Sequence, residues 1–173
     1  IGKGLVEPLD PLGALIASVA AGIWITFVTW RGLPISTTHS TVGAVLGVGL
    51  GYLYMHEAVK FKINVLTAIF LSWITSPLSA IALSFTFYFL LKWVARLALE
   101  KGINVDRLFK VILFFSLSFS AYSFGVNDVA NATGVYVTVV SRVLGVPDAT
   151  TMLYLSILGS LGIAVGAFTW GYR

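Results

Sequence analysis

The sequence predicts an all-α, polytopic helical membrane protein with broken, re-entrant helices. Three observations carry that expectation. Hydrophobic residues make up 58% of the 173 and charged residues 10%, against about 25% charged in an ordinary soluble domain, and the mean hydropathy is +0.94. The charges cluster, leaving Pro11–Trp30, Gly32–His56, Ile63–Leu91 and Ala149–Tyr172 without any when histidine is neutral. Each window is close to or above the ~17–25 residues that cross a hydrocarbon core, and none shows the polar stripe of a soluble amphipathic helix.

Leu12–Trp30 reads as the first span. Arg31-Gly32-Leu33-Pro34 breaks it, because glycine and proline stop a helix there. Ile35–Thr41 follows with six polar side chains in seven positions, then an apolar helix over Val42–Met55. Gly43, Gly47 and Gly51 recur every four residues along it, a spacing that admits a second helix backbone at close range. His56–Lys62 closes this unit as a polar loop. Ile63–Leu91 is longer than one upright span and carries Pro77 at its middle, which suggests one tilted, kinked helix.

Lys92–Lys110 reads as a polar loop joining two halves. Its Lys92, Arg96, Lys101, Arg107 and Lys110 outnumber Glu100 and Asp106, which suggests the cytoplasmic side. Phe109–Gly125 is the next span. A polar run, Asn127–Asn131, is expected to interrupt it before Ala130–Val140 continues. Arg142–Asp148 reads as a turn and Thr150–Trp170 as the last span. The expected organisation is therefore a first transmembrane portion over 1–91, the connector over 92–110 and a second transmembrane portion over 111–173.

The chain has no cysteine, so disulfide and thiolate-metal chemistry are excluded. The net charge of +4 is modest and concentrated in the connector; it reads as membrane topology, with no nucleic-acid partner expected. No nucleophile–base pair, metal cluster or nucleotide-binding loop is apparent, so an enzyme is not expected. The first residues lack an initiating Met and a signal-peptide pattern, and the last follow an apolar span directly. Both ends read as cuts from a longer protein.

Two polar elements carry chemistry. From Val111 to Ser141 the only charged side chain is Asp128, and a carboxylate at the centre of a bilayer helix costs about 2.5–3.5 kcal/mol on insertion scales. Asn127 and Asn131 flank it at i and i+4, on one face of a helix. One carboxylate and two amide oxygens form a hard-oxygen set suited to Na⁺, or to a proton on Asp128 itself; divalent ions usually need more carboxylate. The plainer reading is a polar knot between helices. The second element, Pro34-Ile35-Ser36-Thr37-Thr38-His39-Ser40, offers Ser36 or Thr37 as an N-cap. Hydroxyls then surround a helix start whose first N–H groups have no internal partner, a donor cluster that fits a tetrahedral oxyanion. Its plainer reading is an N-cap at the membrane surface. Arg31 could pair with that anion or lie along the membrane interface.

Together the two elements resemble the inorganic phosphate transporter (PiT) family of sodium- or proton-coupled phosphate permeases. Gly125–Ala132 matches its Gly-Ala-Asn-Asp-Val-Ala-Asn-Ala signature with Val126 in place of Ala, and Pro34–Ser40 matches its Pro-Ile/Val-Ser-Thr-Thr-His-Ser signature. Family members carry each motif twice, in two inverted halves. This chain has each once, in the order expected for the end of the first half followed by the start of the second.

The resemblance implies secondary transport of inorganic phosphate coupled to Na⁺ or H⁺. Phosphate would be held around Ser36, Thr37, Thr38, His39 and Ser40, and Na⁺ at Asn127, Asp128 and Asn131, with no other cofactor. Expected partners are phosphate, Na⁺, the lipid bilayer, a second copy in a homo-oligomer, and the remaining part of the transporter. The expected location is the plasma or inner membrane. The rival readings are a permease for sulfate or another tetrahedral oxyanion and a non-transporting membrane scaffold or receptor.

Overall fold

The computed structural model describes residues 5–143, 145 and 149–171. In chain order the elements are β1 (Val6–Glu7), α1 (Pro11–Trp30), α2 (Thr37–Tyr54), β2 (Lys60–Phe61), α3 (Ile63–Glu100), α4 (Val105–Val143) and α5 (Ala149–Trp170). Four of them, α1, α3, α4 and α5, are long and apolar enough to cross a membrane. The chain divides into two compact units, Ile1–Ile63 with Phe124–Arg173, and Asn64–Ser123.

The first unit is built on the α1–α2 hairpin. Asp10 caps α1 by accepting the Gly13 N–H at 2.8 Å, and Pro11 fills the first helical position, where its missing N–H is harmless. The helix ends as the glycine predicts. Gly32 has φ 68, its N–H donates to the Thr29 carbonyl at 2.9 Å and the Leu33 N–H to the Val28 carbonyl at 3.2 Å, which is the Schellman closure. Ala14, Ala17 and Ala21 are buried on one side of α1 and Val42, Val45 and Gly49 on α2. The alanines of α1 let α2 approach closely, the packing that works where lipid removes the hydrophobic drive.

The expected Gly43/Gly47/Gly51 seam is not where that approach occurs: a methyl at any of the three would meet nothing within 4 Å. The crowded position is Gly49, where a Cβ would lie 2.9 Å from the Phe61 ring and from Val6 Cγ2. The reason is a short antiparallel pair, unanticipated between such polar neighbours, with Val6 opposite Phe61 and Glu7 opposite Lys60. It folds both apolar side chains onto the C-terminal half of α2. At the same end the Tyr52 hydroxyl donates to Asp10 Oδ1, and Lys62 pairs with Glu7 at 2.7 Å.

In the second unit α3 is one continuous helix through Pro77, as expected. The polar segment Lys92–Lys110 differs from expectation. It is not a loop: α3 runs on to Glu100 and α4 starts at Val105. Trp93, Val94, Leu97 and Ala98 recur at helical spacing, so Lys92, Arg96 and Glu100 form the polar face of continuing helix. Thirty-eight residues make a rod of roughly 57 Å at ~1.5 Å per residue, so the last turns clear a ~30 Å hydrocarbon core. The true turn is four residues, 101–104. Gly102 at φ 65 closes α3, Asn104 Oδ1 accepts the Arg107 N–H at 3.0 Å to open α4, and Asp106 pairs with Lys110 at 2.7 Å one turn on.

The expected interruption of α4 at the Asn-Asp-Asn run does not occur either: the helix is unbroken from Val105 to Val143. Asparagine and aspartate break helices by bonding their own backbone, and here Asp128 and Asn131 bond side chains of another helix. Of the expected turn Arg142–Asp148, positions 144 and 146–148 lie outside the described residues.

Two predictions follow from the packing at Gly49 and Asp10. Gly49→Ala should lower stability by about 1–3 kcal/mol through overpacking, whereas Gly47→Ala, facing open space, should be neutral or gain up to ~1 kcal/mol of helix propensity; thermal unfolding in detergent separates them. Asp10→Ala should cost about 1 kcal/mol of helix stability. The Tyr52 hydroxyl and then the Gly13 N–H hold the Asp10 carboxyl below its ordinary range. Its contribution is therefore full above that range and fades as pH falls through the lowered value. An acid titration of stability should lose this component in Asp10→Asn.

Candidate ion-binding site

The two polar elements, 91 residues apart, meet. Ser36 caps α2 in an extended backbone conformation, accepting the His39 N–H at 3.3 Å, and Pro34 two residues earlier keeps α1 and α2 separate. This puts Thr37 and Thr38 in the first turn of α2, beside α4. The Thr37 hydroxyl donates to Asp128 Oδ1 at 2.8 Å. The Asn131 amide nitrogen donates to Thr37 Oγ1 at 3.1 Å and to Thr38 Oγ1 at 2.9 Å. One hydroxyl thus accepts from an amide and donates to a carboxylate. Asn131 is 8% exposed and Thr41 6%, and among the described residues no buried side-chain N or O lacks a partner. A hydrogen bond to a charged acceptor contributes about 1.5–3 kcal/mol, enough to offset much of the cost of a carboxylate in an apolar helix.

Helical geometry sorts the expected ligands. Asp128, Asn131, Ala132 and Val135 line one cavity of about 340 Å³, together with Ser18 and Gly22 of α1, Thr37 and Thr41 of α2, and Tyr136. Their i, i+3, i+4, i+7 spacing defines one face of α4. Asn127 lies about a quarter turn off that face at ~100° per residue; it is exposed and does not line the cavity. Asn127 and Asn131 lie about 40° apart around α4 at ~100° per residue, and of the two only Asn131 lines this cavity.

The five α2 positions are divided as well. Ser36, His39 and Ser40 line a second cavity of about 510 Å³ with Pro34, Trp24 and Gly43, while Thr37 and Thr41 face Asp128. Ser40 Oγ donates to the Ser36 carbonyl at 2.9 Å. Arg31 stacks 5.4 Å from the ring centroids of Phe27 and Trp30, a cation–π arrangement at the end of the span. Sequence reasoning missed Ser18, Thr41 and Tyr136 as lining residues. Thr41 had a readable signal, being one turn beyond Thr37 on the same face. Ser18 is an isolated serine in an apolar helix and gives none. Gly159 of α5 braces the site from outside: a Cβ there would lie 3.0 Å from Thr133 Cγ2 and 3.5 Å from Val129 Cγ1.

The model of the Phosphate transporter family matches residues 1–173. The chain belongs to that family. It is a family of transporters and not of enzymes, and the chain is a multi-pass integral membrane protein with four spanning-length helices among the described residues. A Pyrococcus furiosus protein named "Putative phosphate permease" is 27% identical over 248 aligned residues, covering 100% of this chain and 60% of that protein. "Sulfate permease CysP" of Bacillus subtilis is 34% identical over 155 residues, covering 89% of this chain and 39% of that one. "Sodium-dependent phosphate transporter" of Plasmodium falciparum is 42% identical over 69 residues, 40% of this chain and 10% of that one. The chain thus spans about 60% of the length of the archaeal relatives it matches. No solved structure matches.

The two asparagines give a direct contrast. Asn131→Ala removes both donors that hold the threonines and should destabilise by about 1–3 kcal/mol. Asn127→Ala, exposed and outside the cavity, should stay within ~0.5 kcal/mol. Melting temperatures of the two variants in the same detergent check this.

Proposed function

We propose that this chain supplies an anion site and a cation site, one on each side of the α2 start, in a secondary transporter that carries inorganic phosphate with Na⁺ across the plasma or inner membrane. The observation that carries this reading is the 2.8 Å bond from the Thr37 hydroxyl to Asp128. It joins the oxyanion-binding type of element to the cation-binding type. Family membership and the names of the relatives support phosphate as substrate; the Plasmodium falciparum relative supports sodium. Phosphate would be held at the first turn of α2 by Ser36, Thr38 and backbone N–H groups, where the helix dipole favours an anion. Na⁺ would sit at Asp128 and Asn131. A proton on Asp128 is the alternative coupling ion.

Coupling then has two physical sources. Opposite unit charges in neighbouring sites attract by a few kcal/mol at an effective dielectric of ~20. That is enough for roughly a hundredfold mutual gain in affinity, and it is reciprocal. The second source is Thr37. While Asp128 is ionised and empty it holds the Thr37 proton; a cation on Asp128 weakens that hold and leaves the hydroxyl to turn toward the anion. Movement of one inverted half against the other would expose the site alternately.

A sulfate reading is favoured by the Bacillus subtilis relative. Hydroxyl and N–H donors treat sulfate and phosphate alike, and only an acceptor that reads the phosphate proton tells them apart. Competition of labelled phosphate uptake by sulfate in proteoliposomes decides: equal competition would transfer the assignment to sulfate. In the same assay Asp128→Asn should abolish the sodium dependence of uptake. Thr37→Val should raise the phosphate KM at least tenfold and Thr37→Ser should keep it near wild type. Unchanged sodium dependence in Asp128→Asn would overturn the reading.

A further inference from the structure

We infer that the groove between α1 and the end of α5 holds one anionic phospholipid, with its headgroup phosphate on Arg31 and an acyl chain along the groove. The groove has a volume of about 530 Å³ and is lined by Val19, Ile23, Thr26, Phe27 and Trp30 of α1 and by Trp170 of α5. The α1 residues recur at helical spacing and form one stripe along the helix. Trp30 and Trp170 are each the last residue of their helix, so α1 and α5 end side by side at this groove. Indoles gather at the membrane–water interface. From Trp30 the groove runs down α1 to Val19, a distance of 11 residues, or roughly 16 Å at ~1.5 Å per residue. One leaflet of a ~30 Å hydrocarbon core is about 15 Å deep. The groove therefore runs the depth of one leaflet, from its headgroup edge to the midplane.

Charge identifies the occupant. The Arg31 guanidinium lies 5.4 Å from the ring centroids of Phe27 and Trp30, two walls of the groove, at its interfacial end. Among the described residues it pairs with no carboxylate, and the sequence holds no acid between Asp10 and Glu57. A guanidinium offers a planar fork of N–H donors that matches a phosphate, and the apolar groove below it takes hydrocarbon. Free phosphate would use the guanidinium and leave the groove empty. An apolar protein helix would fill the groove and leave the guanidinium without an anion. A phospholipid satisfies both. No acid lines the groove to receive a headgroup ammonium, so a headgroup of net negative charge is preferred to a zwitterionic one. This lipid site lies outside both polar elements and is independent of which ions are carried.

The test is native mass spectrometry of the full-length protein in detergent, titrated with dioleoyl phosphatidylglycerol or dioleoyl phosphatidylcholine. The first phosphatidylglycerol should bind about fivefold tighter than phosphatidylcholine, the gain expected from one basic residue at an anionic headgroup. Arg31→Ala should erase that preference, and Arg31→Lys, which keeps the charge, should retain part of it. Thr26→Trp, which puts a ring into the groove, should weaken the first site for both lipids about tenfold, as steric exclusion of the chain requires. Arg31→Ala changes only an exposed helix end, so it decides the matter even if Thr26→Trp does not fold. Equal binding of the two lipids by the wild type would overturn the inference, as would an undiminished preference in Arg31→Ala. Displacement of phosphatidylglycerol by millimolar inorganic phosphate would also overturn it, by assigning Arg31 to the free anion.

Discussion

A carboxyl group inside an apolar helix needs hydrogen-bonding partners from the protein, and most of the described architecture around Asp128 follows from that need. The solvating group is the Thr37 hydroxyl, held in turn by Asn131. For Thr37 to reach, α2 must begin alongside α4 and not at the end of a full span. That requires the sharp stop after Trp30, which Gly32 and Pro34 supply. It also requires α1 and α2 to pack closely enough to hold the first turn of α2 in place, which the buried alanines of α1 and Val42 and Val45 of α2 supply. Features that look separate in the sequence serve one hydrogen bond.

The continuity of α4 has the same origin. Polar residues in a transmembrane helix can open the backbone or leave it closed and turn outward. Opening would expose N–H and carbonyl groups that a bilayer cannot satisfy, at several kcal/mol each. Here α2 brings the complementary hydroxyls, so the side chains are satisfied without unwinding α4. The break is placed in the α1–α2 connection, where glycine and proline make it inexpensive. The α2 start becomes two-sided: Thr37 and Thr41 toward Asp128, Ser36, His39 and Ser40 toward the other cavity.

Fold class, spans and the two chemical elements were legible in the sequence because each rests on a strong local signal: long apolar windows, a lone acid, a hydroxyl-rich helix start after proline. Faces and close contacts were less legible. Whether Asn127 or Asn131 turns inward depends on the rotation of α4, which α2 fixes from 91 residues away. Gly49 matters because Phe61 and Val6 fold over it, while Gly43, Gly47 and Gly51 share a spacing but no neighbour. Charge alone makes Lys92–Lys110 read as a loop, whereas its period is helical over most of its length. The apolar residues at 93, 94, 97 and 98 kept the helical repeat, and Gly102 and Asn104 marked the true turn. Ser18 reaches the site only through the α1–α2 packing, so no local pattern could have marked it.

In the proposed reading, attraction through space and release of the Thr37 proton both couple the ions, and their magnitudes are alike. Attraction of a few kcal/mol needs only charges in place, and a hydroxyl bonded to a charged acceptor contributes about 1.5–3 kcal/mol. They differ in what happens with one ion missing. Attraction alone lets an anion bind weakly without a cation, because nothing in the site opposes it. A hydroxyl already held by Asp128 makes that state worse, since the anion meets a bare carboxylate and finds a donor withheld. Transport that must not leak one ion without the other gains most from penalising the half-loaded state. Placing one hydroxyl between the two elements does this with a single side chain, which is the physical reason to find a threonine there.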